Sequence, residues 1–377
     1  MAYKIVDIDS HVAEPINLIT DEYLEPQYRD RGLCIKKDEN GLEYLEIAGQ
    51  KSMFEQGGVI AMDVGGFGKD LRPFVTPGKV SYEEGTHPAA VDPHARIKFM
   101  DEEGVDVTFL YPTPGIRWEA EMKDGELAEA YCRAYNNWLV DFCKPYPDRL
   151  IPVAHISLID VDEAVKELKR TAKLGMKGSM IYSWPVNGKA YGDPYFDPFW
   201  AETQELDMPV AIHPVTNLDF PGAKYYPVGY TDGLWYITLM TYPDMLIGFT
   251  QFFQGAILER FPRLKLVVLE EGATWLPHWL NRMDDRYERA WFSTQMKLKP
   301  SEYFLRQCWI DFEPDEDLVA PTVKLLGADK FTWASDFPHS DGFPGTVEKV
   351  KEQIKELPQR DQEMILGETA LKIYGVA

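Results

Sequence analysis

The chain holds little cysteine. Its four cysteines among 377 residues, Cys34, Cys132, Cys143 and Cys308, show no CxxC or zinc-ribbon spacing, which argues against a disulfide framework and a thiolate zinc site. Cys132 and Cys143 fall in an apolar helical pattern and Cys308 in a strand, so buried free thiols of a reduced, cytoplasmic protein are expected. No apolar run approaches the ~20 residues that a membrane helix requires. No signal-peptide pattern precedes the first strand, because MAYKIVDIDSH enters the fold almost at once. Basic residues are scarce as well, with 39 Lys and Arg against 61 Asp and Glu and a net charge of −22. That balance argues against nucleic acid and anionic membrane as natural partners and mainly signals solubility; the partner expected is a small-molecule substrate. There are no internal repeats, low-complexity tracts or interdomain linkers.

What is present is an ordinary globular composition, 45% apolar and 27% charged, long enough for one large core. Short apolar runs alternate with amphipathic helices. Eight candidate strands are Ile5–Asp9, Val105–Tyr111, Ile151–Ile156, Ser179–Ser183, Val210–His213, Leu264–Glu270, Cys308–Phe312 and Phe331–Asp336. Several are continuous and β-branched rather than alternating, as suits parallel strands covered by helices. Helical faces run through Leu127 to Phe142, Val161 to Ala172, Phe249 to Ile257 and Leu276 to Met283. Strand followed by helix, eight times over, predicts an α/β fold, a closed (β/α)8 TIM barrel, with a doubly wound open sheet as the alternative. Residues 346 to 374 read as two further helices.

Residues 16–92 break the rhythm with GGVIAMDVGGFG, the prolines Pro73, Pro77 and Pro88, and a strand-like YLEIAG. The expectation is one barrel domain, 1–377, with this stretch as an insertion that caps the barrel mouth.

In such a barrel the site lies at the carboxyl ends of the strands. The first strand ends Asp7-Ile-Asp9-Ser-His11, where Asp9 and His11, two apart, point to the same side of extended chain. The fifth ends Ala-Ile-His213-Pro, and the eighth ends Ser-Asp336-Phe-Pro-His339. Asp9, His11, His213 and Asp336 are therefore the candidate metal ligands. That mix suits one divalent ion, Zn2+, Mn2+ or Fe2+, better than calcium.

DIDSHVAEP, AIHP, VVLEEGATWLPHWLNRMDDRYE and WIDFEPDE…ASDFPH, in this order across nearly the whole chain, resemble the amidohydrolase-2 group of the amidohydrolase superfamily. That group includes aminocarboxymuconate-semialdehyde and γ-resorcylate decarboxylases. The resemblance implies that His11 and His213 are ligands and that Asp336 is both ligand and proton acceptor. Asp9 stands where zinc-type members carry His and several manganese decarboxylases carry Glu, which leans the metal towards manganese. Two departures stand out. Met180-Ile-Tyr182-Ser-Trp184 offers no bridging lysine after the fourth strand, so one metal is expected. At the sixth strand, where many relatives carry a histidine, Glu271 aligns with that histidine and Glu270 stands beside it, and only one of the pair is expected to reach the site.

Further candidates are Glu270, Glu271 and His155 for proton transfer. Tyr111, Tyr182, Trp184, His339, Arg117 and Arg96 are candidates for binding substrate, the arginines through a bidentate carboxylate contact. Glu14 is placed to orient the first loop. The leading functional expectation is mononuclear metal-dependent hydrolysis of a C–N or C–O bond (amide, lactone or imine-type) in a small cyclic or aromatic substrate. It draws on the missing sixth-strand histidine. The alternative is non-oxidative decarboxylation, or another C–C cleavage, of an aromatic or enol acid, which Asp9 favours. A third reading is a binding barrel that has lost catalysis. A homodimer is expected, with the aromatic stretch Tyr225–Tyr242 as interface, pocket wall or both.

Overall fold

The computed structural model describes residues 3–15, 22–185, 187–214, 241–289 and 295–377. Most of the Tyr225–Tyr242 stretch lies outside them. The strands described are β1 (Val6–His11), β2 (Cys34–Lys37), β3 (Glu43–Ile47), β4 (Gln50–Lys51), β5 (Val107–Tyr111), β6 (Leu150–His155), β7 (Gly178–Tyr182), β8 (Val210–His213), β9 (Leu266–Val268), β10 (Cys308–Phe312) and β11 (Phe331–Trp333). Eight of them form one sheet in the order β1-β5-β6-β7-β8-β9-β10-β11, every neighbouring pair parallel. These are the eight strands expected from the sequence, with β8 and β10 matching to the residue. The sheet curls into a nearly closed barrel. At the seam, the Asp7 carboxylate accepts from Ser335 N at 3.0 Å and Ser335 Oγ at 2.6 Å. Asp336 N donates to Asp9 O at 3.2 Å and His11 N to Phe337 O at 2.5 Å.

Helices cover the outside: α1 (Pro93–Glu103), α2 (Gly125–Cys143), α3 (Val161–Lys173), α4 (Asp197–Glu205), α5 (Tyr242–Gln254), α6 (Leu276–Arg289), α7 (Pro300–Gln307), α8 (Val319–Leu326) and α9 (Thr346–Ile354). Their starts are written in the sequence. Asp92, Asp124 and Asp160 accept from backbone N–H groups of the first turns of α1, α2 and α3, which fills donors that a helix start leaves open. A last helical run over 359–374 carries a π-type turn, Met364–Glu368, in its middle. The two terminal helices expected over 346–374 are thus both present.

Val6, Ile8, Val107, Phe109, Ile151, Val153, Met180, Ala211 and Val267 fill the barrel interior, and Ile373 and Tyr374 plug it from the chain's end. The Tyr374 ring lies 4.3 Å from that of Phe109 and directly against Gly178, where a Cβ would collide with it. Burying such side chains is the main stabilising term, ~1.5–3 kcal/mol for each large one. Between β1 and α1, β2, β3 and β4 form a small antiparallel sheet, of which only β3 was foreshadowed by YLEIAG.

Buried acids such as Glu129 on α2 and Asp244 stand apart from this apolar logic. Asp244, in the first turn of α5, is fully buried, and among the described residues neither carboxylate oxygen has a hydrogen bond. Burial, with a smaller push from Glu271, raises its pKa to about 8 from the ordinary 3.8. The unfolded chain sheds this proton near pH 4 and the folded chain only near 8. The carboxyl's contribution to stability is therefore whole below pH 4 and is lost as pH rises to 8. Asp244→Asn should remove that dependence. Its stability relative to wild type should climb between pH 4 and 8, by up to about 5 kcal/mol for the full shift, in urea unfolding curves. A difference that stays flat with pH would refute the burial of a lone acid here.

Candidate metal centre

Val6 and Ile8 point into the barrel, so strict alternation along β1 would turn Asp9 and His11 outward with Asp7. The pairing of β1 with β5 is irregular between Asp7 and Ser10. An irregularity of this kind re-aims the residues beyond it, and both side chains reach the cluster at the barrel mouth. His213 needs no such device, because it shares the inward parity of Ala211 on β8. Asp336 sits three residues past β11 with a left-handed backbone, φ +52°, a strained conformation that concentrates at functional sites.

Each imidazole is fixed by its far nitrogen. His11 Nδ1 donates to Pro112 O at 2.7 Å and His213 Nδ1 to Pro214 O at 2.9 Å, which sets the tautomer and leaves both Nε2 atoms as lone-pair donors. Those two Nε2 atoms face each other at 3.3 Å. Around them stand Asp9, 3.4 Å from His11 Nε2 and 3.6 Å from His213 Nε2, and Asp336, 3.4 Å from His11 Nε2. Donor atoms of Asp9, His11 and His213 all lie within 4.8 Å of one another. All four side chains are buried.

A divalent cation fits this arrangement. Two lone pairs aimed at each other, and a buried Asp9 Oδ1 without any hydrogen bond, are unfavourable unless positive charge lies between them. Burial keeps both imidazoles neutral, pushing His213 down to about 3 and His11 well below the usual value, the state in which imidazole binds metal. Burial, then repulsion from Asp311 and Asp336, drives the Asp9 carboxyl far above its ordinary range. Burial, then Asp341, does the same for Asp336. An ion would reverse both carboxyl shifts.

Of the sixth-strand pair, Glu270 is the residue that faces the cluster, its Oε2 3.3 Å from His213 Nε2. Glu271 turns instead to Thr241, and burial raises it to about 7. Both have left-handed backbones, φ +58° and +65°. The turn closes at Gly272 (φ +67°), where the Glu316 carboxylate leaves no room for a Cβ and accepts from Ala273, Thr274 and Glu313 N–H groups. His339 joins the cluster as well: its ring lies 4.0 Å from that of His11, its Nδ1 2.7 Å from Asp336 Oδ1, and its Nε2 3.2 Å from Thr113 Oγ1. The Tyr111 ring underlies both ligand histidines at 6.1 and 6.2 Å, with its hydroxyl turned away to Tyr374. Tyr182 lies in the same interior layer and Trp184 packs against it.

Other candidates are engaged elsewhere. His155 Nε2 is bound to Glu119 at 2.6 Å, and its ring packs against Trp118. Arg96 is buried behind the tip of β1. Its guanidinium donates to Ala89 O, Ser10 Oγ and His11 O and stacks on Phe337, so it braces the backbone that carries His11. Arg117 pairs with Glu55 at 2.8 Å and Asp63 at 2.6 Å, joining the segment before α1 to the loop after β5. Glu14 does tie two loops together, accepting from Thr113 N and Gly115 N. Asp311 escaped sequence reasoning. It is buried inside the barrel on β10 and accepts from Glu270 N at 3.3 Å. The signal was an acid in the otherwise apolar strand CWIDF.

The amidohydrolase family model matches residues 8–376. γ-Resorcylate decarboxylase of Rhizobium radiobacter is 24% identical over 287 residues, covering 69% of this chain and 83% of that one. The decarboxylase orsB of Emericella nidulans is 31% identical over 197 residues, covering 49% and 55%. Among solved structures, an amidohydrolase of Mycobacterium avium subsp. paratuberculosis superposes with a TM-score of 0.82 at 24% identity over 100% of both chains. A dihydroxybenzoic acid decarboxylase of Polaromonas with bound manganese gives 0.69 at 18% identity, covering 99% of this chain and 97% of that one.

The decarboxylases among these relatives overturn hydrolysis as the leading expectation. The missing sixth-strand imidazole carried too much weight, because Glu270 supplies a side chain at that tip. The whole-length match and the barrel with its converging strand tips agree: the chain belongs to the amidohydrolase family of enzymes.

Proposed function

We propose that the protein is a metal-dependent non-oxidative decarboxylase of an aromatic or enol acid that carries a hydroxyl beside its carboxylate. The observation that supports this best is the convergence of two lone-pair nitrogens and two carboxylates beside a histidine–aspartate pair, His339 and Asp336. Asp9, His11, His213 and Asp336 hold one divalent ion in this reading, with manganese favoured by the acidic residue at Asp9 and by the manganese-bound relative. Bound there, the ion would grip the substrate's carboxylate and hydroxyl and offset their negative charge.

The chain's own residues carry the proton. Asp336 gives it to the carbon that bears the carboxylate. The carbon–carbon pair then returns to the substrate frame as CO2 leaves. His339, 2.7 Å from Asp336 Oδ1, returns a proton drawn from water. Glu270 walls the side next to His213, and Tyr111 forms the floor. Of the expected cap, 16–92, the described part from residue 22 onward excludes bulk water, with Arg117 pinning it through Glu55 and Asp63. The buried thiols of Cys132, Cys143 and Cys308 favour a reduced, cytoplasmic setting, and no helix among the described residues is long and apolar enough to cross a membrane.

The test is to incubate manganese-loaded protein in D2O with a panel of ortho-hydroxylated benzoic acids and enol acids. CO2 release with a single deuterium at the vacated carbon is the expected result. Neither CO2 release nor deuterium exchange from any member would overturn the proposal.

A further inference from the structure

The outer helical layer contains a second cavity, away from the strand tips. Between α4, α5 and α6 it opens to about 790 Å3, with Phe253, Trp279, Arg282, Arg286, Tyr287 and Met296 in its wall. That volume suits a small molecule (pockets run roughly 300–1,000 Å3).

The arginines there are unusual for this chain. Of its 15 arginines, 13 have a hydrogen bond or an ion pair. Arg282 and Arg286 have neither among the described residues. Both are exposed, one helical turn apart on α6, and both line the same cavity. Like charges at this spacing repel, and a chain with a net charge of −22 has carboxylates in excess to neutralise them. Arg289, on the next turn of the same helix, is paired in this way with Asp285 at 2.7 Å.

Beside the two free guanidiniums stand flat apolar surfaces. Trp279 Nε1 donates to Thr250 Oγ1 at 2.9 Å, which fixes the indole, and Phe253 and Tyr287 add two more rings. A third arginine in the wall, Arg260, is consumed by Asp197 and by Gly192 O and Gly255 O. Two open forks beside fixed rings match a flat molecule with an acid group, which guanidinium grips bidentately while the ring stacks.

We propose that this outer groove binds a small aromatic anion, its acid group held by Arg282 and Arg286 and its ring against Trp279 and Tyr287. The proposal stands apart from the metal centre and does not depend on the reaction performed there. The probe is 1-anilinonaphthalene-8-sulfonate, titrated by fluorescence into the full-length protein. Saturable binding is expected, weakened at least about tenfold in the double variant Arg282→Gln, Arg286→Gln. Arg289→Gln on the same helix should bind within about twofold of wild type, which separates a specific pair from general loss of positive charge. His213→Ala should also bind as wild type does, which locates the probe outside the barrel mouth. Equal binding by the double variant, equal weakening by Arg289→Gln, loss of binding in His213→Ala, or no saturable binding would each overturn the proposal.

Discussion

Asp336→Asn should lower the rate of CO2 release by about 10²- to 10⁴-fold, the usual cost of removing a positioned acid. The substitution spares the backbone for a physical reason. Asp336 has a left-handed backbone with φ +52°, and asparagine tolerates that conformation better than almost any other residue with a side chain. Its size and backbone are kept, and the ionisable proton is lost. Because Asp336 also holds the ion in this reading, the two proteins are compared at equal metal content by elemental analysis; kcat should then fall, with the deuterium incorporated at the vacated carbon falling in parallel. A variant that retained kcat within a few fold would transfer the proton step to another acid, Glu270 being next to the cluster.

His213→Ala should empty the metal centre. Wild-type protein is expected to carry about one manganese, zinc or iron per chain in elemental analysis, and the variant less than a tenth of that. The argument rests on geometry: His213 Nε2 is one of two lone-pair nitrogens 3.3 Å apart, and alanine leaves Asp9 and His11 without the strand opposite. Loss of a ligand or of the group that orients it commonly costs 10- to 100-fold or more in affinity. Full occupancy in the variant would move the ion to a grouping without His213, either His11, Asp336 and His339 or Glu270, Asp336 and Asp341.

Much of this was legible beforehand because the relevant signals are local. A parallel strand buried on both faces is a run of apolar residues, so β8 and β10 were delimited to the residue. A polar residue ending such a run marks a strand tip, and that is how Asp9, His11, His213 and Asp336 were found. The choice between Glu270 and Glu271 was not legible. Both break from regular strand geometry with positive φ, so alternation gave no guide. The aim of Asp9 and His11 was reached by an argument that leaves out the irregularity in β1: two apart they do share a side, but regular alternation alone would have made it the outer one. Arg96 was out of reach in another way. Its three acceptors, Ala89 O, Ser10 Oγ and His11 O, are brought to it by tertiary folding, and a buried guanidinium reads in sequence like any surface arginine. Lys and Arg so close to a strand tip invite a substrate role, whereas burial moves this one to about 9 and commits it to the scaffold.

The seam between β1 and β11 joins two parts of the protein that are usually considered separately. Asp7 and Ser335, Asp9 O and Asp336 N, and His11 N and Phe337 O stitch the first strand to the segment after the last. Two of the ligand side chains, Asp9 and His11, hang from one edge of that seam and Asp336 hangs from the other. Sequence positions more than 300 residues apart thus meet only when the barrel has shut. An ion bound across the join acts as a buckle: it binds the closed ring and not the open sheet, so its binding free energy is added to that of closure. Assembly of the fold and assembly of the candidate metal centre are then a single cooperative event, and a chain caught half-folded is also a chain without that centre.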